Sequence, residues 1–371
     1  MSLLDRYVFS EWLKIFVLAM AATLGLLLLE RLYDDLPDFI DWGATTWEVI
    51  KYFSLYTPSF LPTIIPISLL ISLLFSLGNL HRNSEVVAMR AAGMNLWRIT
   101  RSLWVAGAIL SALLLYLNAR LVPWSVEQSR VLKDNLNFAA QEEKDTDRRY
   151  IGYLPLLCFD NQAEGRMWFM NNFSEYSYEG FGINVYQHDA YGRETGRVTA
   201  REGYFDDVDN NWVFIDGRVQ KVDPASGDVY FSKAFEEQVF PEFTEDPVLM
   251  KTLSKKPQDL SFFELQMILD KIPVETNPRM KSYEIRLMNI LASPFRCLVV
   301  VGIAIPFAVA GVRTNPVVGV SKSVGLFALY YVVSSVCRML GEQSLLPLLI
   351  SAWLPLVLML GLSVYLFRKV V

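Results

Sequence analysis

The side chains best equipped for chemistry in this sequence fall into two groups. The first is the stretch Asn83-Ser84-Glu85-Val86-Val87-Ala88-Met89-Arg90-Ala91-Ala92-Gly93. Asn83 or Ser84 can cap a helix start, Glu85 suits the positive end of a helix dipole, Arg90 suits the negative end and Gly93 can stop the helix. The pattern predicts a self-contained helix over 84–92 of about two and a half turns, too short to cross a membrane. It presents Val86, Val87 and Met89 beside two charges, either as a connector on a membrane surface or as a ball that fits a groove on a partner, with Glu85 as its polar anchor. The second group is basic: Arg31, Arg120, Arg130, Arg279, Lys281, Arg286, Arg296 and Arg338. Arg296 and Arg338 fall within or near apolar stretches, where charge is expensive and must face a partner or a cavity. Two readings stand open. Internal pairing would use Glu30 or Asp34 for Arg31, Glu342 for Arg338 and Glu284 for Arg286. Alternatively, an arginine-lined mouth receives the phosphates of an anionic lipid, because guanidinium pairs phosphate in bidentate fashion.

What is missing narrows the choice. No Gly-Lys pair occurs, so the chain has no phosphate-cradling loop, and any pump built on it takes its energy from another subunit or a gradient. The two histidines, His81 and His188, read as solvated loop residues and argue against a metal site or histidine-based catalysis. Cys158, Cys297 and Cys337 have neither disulfide-scaffold nor zinc spacing. No acid, base, nucleophile or metal cluster marks a membrane enzyme, and no cofactor or nucleic-acid partner is implied.

The elements that must position these residues are membrane helices. The chain is 53% apolar and 20% charged, and the apolar residues come in long blocks. Six blocks, 12–30, 58–80, 102–122, 287–312, 323–341 and 345–367, each approach the roughly 20 residues that a bilayer core requires. The first reads as a retained span, not a cleaved signal. An even count puts both ends on one side. His81, Arg82, Arg90, Arg98, Arg101, Arg313, Lys322 and the Arg368-Lys369 tail mark that side as cytoplasmic. The acidic loop with Asp34, Asp35, Asp38, Asp41 and Glu48 lies outside, as does the long segment 123–284. Pro58, Pro62 and Pro66 fall near one face of span 2, and Pro294, Pro306, Pro347 and Pro355 follow later; they are either packing kinks or points that make the bundle wall deformable.

The outer segment changes character from about Tyr150 to Phe243. Turn signals at Asp160-Asn161, Glu179-Gly180, Asp209-Asn210-Asn211, Asp216-Gly217 and Ser226-Gly227-Asp228 separate short strands. Arg166–Met170 and Trp212–Ile215 look buried on both faces, whereas Gly217–Val222 alternates, a combination that fits a two-layer sandwich or jellyroll. A charged helix is expected over Glu127–Arg149. Ser261-Phe262-Phe263-Glu264 matches a capping box and opens a short helix ending before Pro273.

Together, Leu4-Asp5-Arg6-Tyr7, the Ser84–Gly93 loop, Trp212-Val213-Phe214-Ile215-Asp216-Gly217, Pro257-Gln258-Asp259-Leu260-Ser261, Ala292-Ser293-Pro294 and Ile305-Pro306-Phe307 resemble the LptF/LptG (YjgP/YjgQ) permeases of lipopolysaccharide export, in order and over nearly the whole chain. The resemblance implies a membrane α-helical fold of six transmembrane helices, with an all-β periplasmic jellyroll between the third and fourth. The corresponding domains are 1–122, 123–284 and 285–371. It further implies a bacterial inner-membrane subunit with cytoplasmic termini and no ATPase site of its own. Its partners would be an LptB-type ATPase dimer, a paralogous LptF or LptG permease, an LptC-type membrane-anchored jellyroll and lipopolysaccharide itself. Spans 1 and 5 would form the gates between permease halves, and the jellyroll would pass lipid along a β-sheet bridge. Glu85, Val86, Met89, Arg90 and Gly93 would couple to the ATPase. Where family members carry lysines at the outer end of span 1 and before the span 4 proline, this chain has Glu30-Arg31 and Ile290. Arg31 and Arg286 would replace them and, with Arg120 and Arg296, are the candidate phosphate contacts; the Leu-Asp-Arg-Tyr start leans toward LptG. The alternative is a sensor or scaffold whose outer domain binds a ligand, which is disfavoured because no cytoplasmic segment is large enough to carry an output.

Overall fold

The computed structural model describes residues 3–143, 151–161, 164–206, 209–254, 260–271, 280–309 and 316–370. Tyr150, Pro257, Gln258, Asp259, Pro273, Arg279, Arg313 and the end of the expected 127–149 helix lie outside them. The chain forms two compact units. One comprises the residues up to Pro37, Trp47–Ser129 and those from Lys281 on; the other comprises Asp38–Thr46 and Arg130–Met280.

The described helices are α1 (Leu3–Asp41), α2 (Thr46–Tyr56), α3 (Leu61–Arg82), α4 (Glu85–Ala91), α5 (Leu96–Tyr116), α6 (Val122–Glu143), α7 (Pro247–Ser254), α8 (Phe262–Lys271), α9 (Met280–Ala292), α10 (Arg296–Val309), α11 (Pro316–Glu342) and α12 (Leu348–Val370). Among the described residues, six helical stretches are long and apolar enough to cross a membrane, one for each expected span. Several run well past the bilayer core. The 39 residues of α1 extend about 58 Å at 1.5 Å per residue, so the acidic residues Asp34, Asp35, Asp38 and Asp41, expected in a loop, sit on helix.

Proline explains the interruptions. Pro58 lies in a tight 3-10 turn between α2 and α3, where the hydroxyls of Thr57 and Ser59 donate to the carbonyls of Phe53 and Tyr56. Pro294 lies in another between α9 and α10. Lacking an N–H, it leaves the Ile290 carbonyl open; Ser293 Oγ donates to that oxygen at 3.1 Å and itself accepts from Asn118 Nδ2 at 2.7 Å. Just before Pro123 the helix widens into a π turn over Leu117–Leu121, which joins α5 to α6.

The hub of the bundle is α10, whose Val299, Val300, Val301, Ile303, Ala304 and Ile305 are fully buried. Glycine permits its close approaches. A Cβ on Gly302 would overlap Ser363 Oγ of α12, and one on Gly107 of α5 would lie 2.6 Å from Val301. At one end of the bundle, Asp5 of α1 pairs with Arg101 of α5, and Trp97 and Trp104 of α5 meet Phe367 of α12. Both chain ends therefore gather beside α4, as an even number of spans requires.

In the second unit the strands are β1 (Tyr153–Leu154), β2 (Leu157–Asn161), β3 (Arg166–Ser174), β4 (Glu179–His188), β5 (Glu194–Asp206), β6 (Asn211–Val222) and β7 (Val229–Phe240). They form one antiparallel sheet: β3 to β7 pair in sequence order, and β1 and β2 both pair with β3. Neighbouring strands lie about 4.8 Å apart, so β3 and β6 would be about 14 Å apart in a flat sheet. Yet Trp168 of β3 and Trp212 of β6 meet at 5.2 Å between ring centroids, tilted by 45°. The sheet is doubled over on itself.

The fold line is visible in the pairing. Asn171, Gly182, Arg201, Asp216 and Glu236 form a single row across five strands that drops out of the ladder, while register is kept on both sides. Gly182 and Asp216 in that row have positive φ, +62° and +49°, which a bent strand requires and a flat one does not. The expected two layers are thus two halves of one folded sheet. Asp216-Gly217, expected as a turn between strands, is this bend within β6. Arg166–Met170, expected to be buried on both faces, alternates instead, whereas Trp212, Val213 and Phe214 are all buried.

Candidate functional site

The hairpin between α3 and α5 carries α4. Val86 and Met89 turn inward and pack in one core with Leu80, Leu96, Val8 and Trp12. The sequence reading offered both to a partner; in the structure Asn83, Ser84, Val87, Ala88 and Arg90 through Gly93 are the exposed residues of this stretch. The helix ends as Gly93 predicts. With Gly93 at φ +82°, its amide reaches the Arg90 carbonyl at 3.0 Å and the Met94 amide reaches Met89 at 3.1 Å, the two bonds of a Schellman stop. The start departs from expectation. Ser84 has φ +62° and makes no side-chain cap, so the turn at Asn83-Ser84, not a capping hydroxyl, sets the first residue.

Glu85 is half-buried, and the Tyr7 hydroxyl of α1 lies near its carboxylate. Two residues earlier, Asp5 is nearly inaccessible and takes a bidentate grip from Arg101, Nε to Oδ1 at 3.0 Å with Nη2 on Oδ2. Trp12 Nε1 then donates to Ser72 Oγ of α3 at 3.0 Å. Sequence reasoning assigns Asp5, Tyr7 and Arg101 no role at this hairpin. The available signal is a carboxylate at the head of an apolar helix, which is costly to bury unless a cation meets it.

The candidate arginines differ in their commitments. Arg31 pairs with Asp35, Nε to Oδ2 at 2.6 Å, rather than with Glu30 or Asp34; its guanidinium also lies over the Tyr56 ring and donates to Tyr52. Tyr52 in turn donates to Asp35 at 2.7 Å, so this charge is balanced within the chain. Arg296 sits over Tyr331 at 5.8 Å, and Arg286 is half-buried and engaged. Arg120, on the π turn, is exposed. The expected Arg338–Glu342 pair does not occur among the described residues.

Two other basic residues are also spoken for. Lys281 donates to Ser344. Arg130 pairs with Glu264 at 2.9 Å, and Glu264 completes the expected capping box. The Ser261 amide donates to its carboxylate at 2.8 Å while the Glu264 amide donates to Ser261 Oγ at 3.2 Å. Burial pushes the Glu264 carboxyl up, but the Ser261 amide and the Arg130 guanidinium together outweigh it and hold the group below its ordinary value. His81 and His188 lie on α3 and β4 and not in loops.

The folded sheet encloses a packed interior. Trp168, Phe173, Trp212, Phe214 and Phe243 are all inaccessible, and Met250 of α7 adds to the same core. The segment after β7 is fastened by Glu245, which accepts from Arg166 Nε at 2.6 Å and Asn161 Nδ2 at 2.9 Å. Its backbone carbonyl accepts from Trp212 at 2.8 Å. At the other extreme β7 is an edge: among the described strands it pairs with β6 alone, and Val229, Tyr230, Phe231 and Val239 are exposed along it.

A six-span helical bundle with an antiparallel β unit inserted between its third and fourth spans defines a polytopic membrane protein. The family model described as lipopolysaccharide export system permease LptF/LptG matches residues 6–369, and the chain belongs to that family. A comparison with curated proteins finds no match. Membership makes the chain a multi-pass inner-membrane transport subunit, not itself an enzyme.

Proposed function

We propose that the chain is one of two permease halves of an ABC exporter that lifts lipopolysaccharide out of the inner membrane and passes it to a periplasmic β-jellyroll bridge. The family match across nearly the whole chain carries this reading. An LptB-type ATPase dimer supplies the energy and docks on α4, with Glu85, Arg90 and Gly93 at the contact. Val86 and Met89 serve by fixing the helix from behind. A paralogous LptF or LptG subunit completes the cavity, with α1 and α11 as its gates, and an LptC-type jellyroll continues the sheet from the exposed edge of β7. The α4 end of the bundle is cytoplasmic, because its basic residues crowd there. Lipid phosphate is met first by Arg120, whose guanidinium is exposed, while Arg31, Arg286 and Arg296 shape the wall around it.

Co-expression of the chain with candidate ATPase and paralogue tests this. The three are expected to co-purify, with Glu85→Arg abolishing lipopolysaccharide release from proteoliposomes while the chain stays membrane-inserted. Unchanged release in Glu85→Arg would exclude α4 as the docking point.

A further inference from the structure

The buried residues of α1 sit at its two ends. Asp5, Val8, Trp12 and Phe16 are buried at the α4 end, and Asp35 and Phe39 at the other, whereas no residue from Val17 to Asp34 is buried. The lower anchor is polar as well as apolar. Asp5 is held by Arg101 on α5, Tyr7 meets Glu85 on α4 itself, and Trp12 donates to Ser72 on α3. All three helices that frame the hairpin are therefore tied to the first three turns of α1. Those turns share one core with the inward side chains of α4, Val86 and Met89.

We propose that Asp5 and Arg101 are a positioning pair that makes the start of α1 move with the α4 hairpin, so that a push on α4 is delivered to the long helix, whose middle is no more than partly buried and touches α3 through Thr23 and Ser68. This rests on the reading of α4 as the ATPase docking point. The chemistry favours transmission over mere adhesion. Asp5 is almost wholly buried while Arg101 is about half exposed; Arg101 grips both carboxylate oxygens, and sliding α1 along α5 would pull that cation off a buried carboxylate. An apolar contact would tolerate such a slide. Tyr7 and Glu85 add a link from α1 to the docking helix itself.

The test uses the full chain in proteoliposomes with its ATPase and permease partners, measuring lipopolysaccharide released per ATP hydrolysed. Asp5→Asn and Arg101→Gln are expected to leave the ATPase bound and hydrolysing while that ratio falls about fivefold or more, the lower end of ordinary coupling energies. Exchanging the charges, Asp5→Arg with Arg101→Asp, is expected to restore most of the ratio. Tyr7→Phe, which keeps the ring and removes only the hydroxyl near Glu85, is expected to lower the ratio too, and it serves if a charge variant fails to assemble. An unchanged ratio in the assembled single variants and in Tyr7→Phe overturns the proposal, as does a charge exchange that assembles without recovery. Failure of the docking reading looks different: Glu85→Arg would then leave both ATPase binding and release intact.

Discussion

Individual carboxylates carry the sharpest consequences. Glu264 gives up its proton more readily in the folded chain than in the unfolded one, so protonation favours unfolding. Its contribution is complete above the ordinary glutamate value of about 4.3 and disappears as the pH falls through the lower value of the folded state. Glu264→Gln is expected to cost about 1 kcal/mol at pH 7, the usual worth of a cap, and the gap to wild type should close in thermal melts below that range. Glu245 is a harder case. Removing it leaves Arg166, itself buried, without its closer and buried carboxylate, the exposed Glu164 lying at 3.6 Å. Glu245→Ala is therefore expected to destabilise the β unit by about 3–5 kcal/mol, seen as a lower urea midpoint, whereas a double variant with Arg166→Met should recover part of the loss. The capping box was legible because four adjacent residues carry the whole pattern. Asp5–Arg101 and Arg31–Asp35 differ instructively. The first joins positions 96 residues apart, which no spacing rule reaches; the second is an i,i+4 pair, hidden because the acidic cluster around Asp35 reads as a loop.

Among the elements, α10 and α4 show what periodicity does and does not reveal. All six spans were readable from apolar length alone, and Gly93 was readable as the stop of α4. The inward turn of Val86 and Met89 was not, because a seven-residue helix offers too few turns for its buried face to stand out. Gly302 and Gly107 give the packing argument a test. Gly302→Leu is expected to abolish monodisperse extraction in detergent, or to lower the melting temperature by several degrees, since overpacking costs about 1–3 kcal/mol even where neighbours can shift. Gly25, where an added Cβ would meet no heavy atom, should accept alanine without change in the same assay. The layered β unit was anticipated, but its construction as one sheet doubled along a row of five residues was hidden. Turn-forming residues at Asp216-Gly217 signal a bend, and only the pairing tells a bend within a strand from a loop between two.

For the molecule as a whole, the exposed edge of β7 is where a second β unit can be added. A photocrosslinker at Tyr230 or Phe231 is expected to capture an LptC-type partner in membranes that contain it, and one at the buried position Trp168 is not; capture from neither edge site would remove β7 from the bridge. The gathering of both chain ends beside α4 follows from the even number of spans and was legible at once, whereas the fastening of α1 there was not. That fastening has a thermodynamic corollary. Along its middle, α1 exposes Val17, Leu18, Leu26 and Leu29, and to such side chains a lipid chain and a leucine from another helix offer nearly the same free energy. Exchanging one neighbour for the other is close to neutral for these side chains, so on the proposed function a lateral slit beside this helix opens and reseals with little of the energy of ATP hydrolysis lost to breaking apolar contacts.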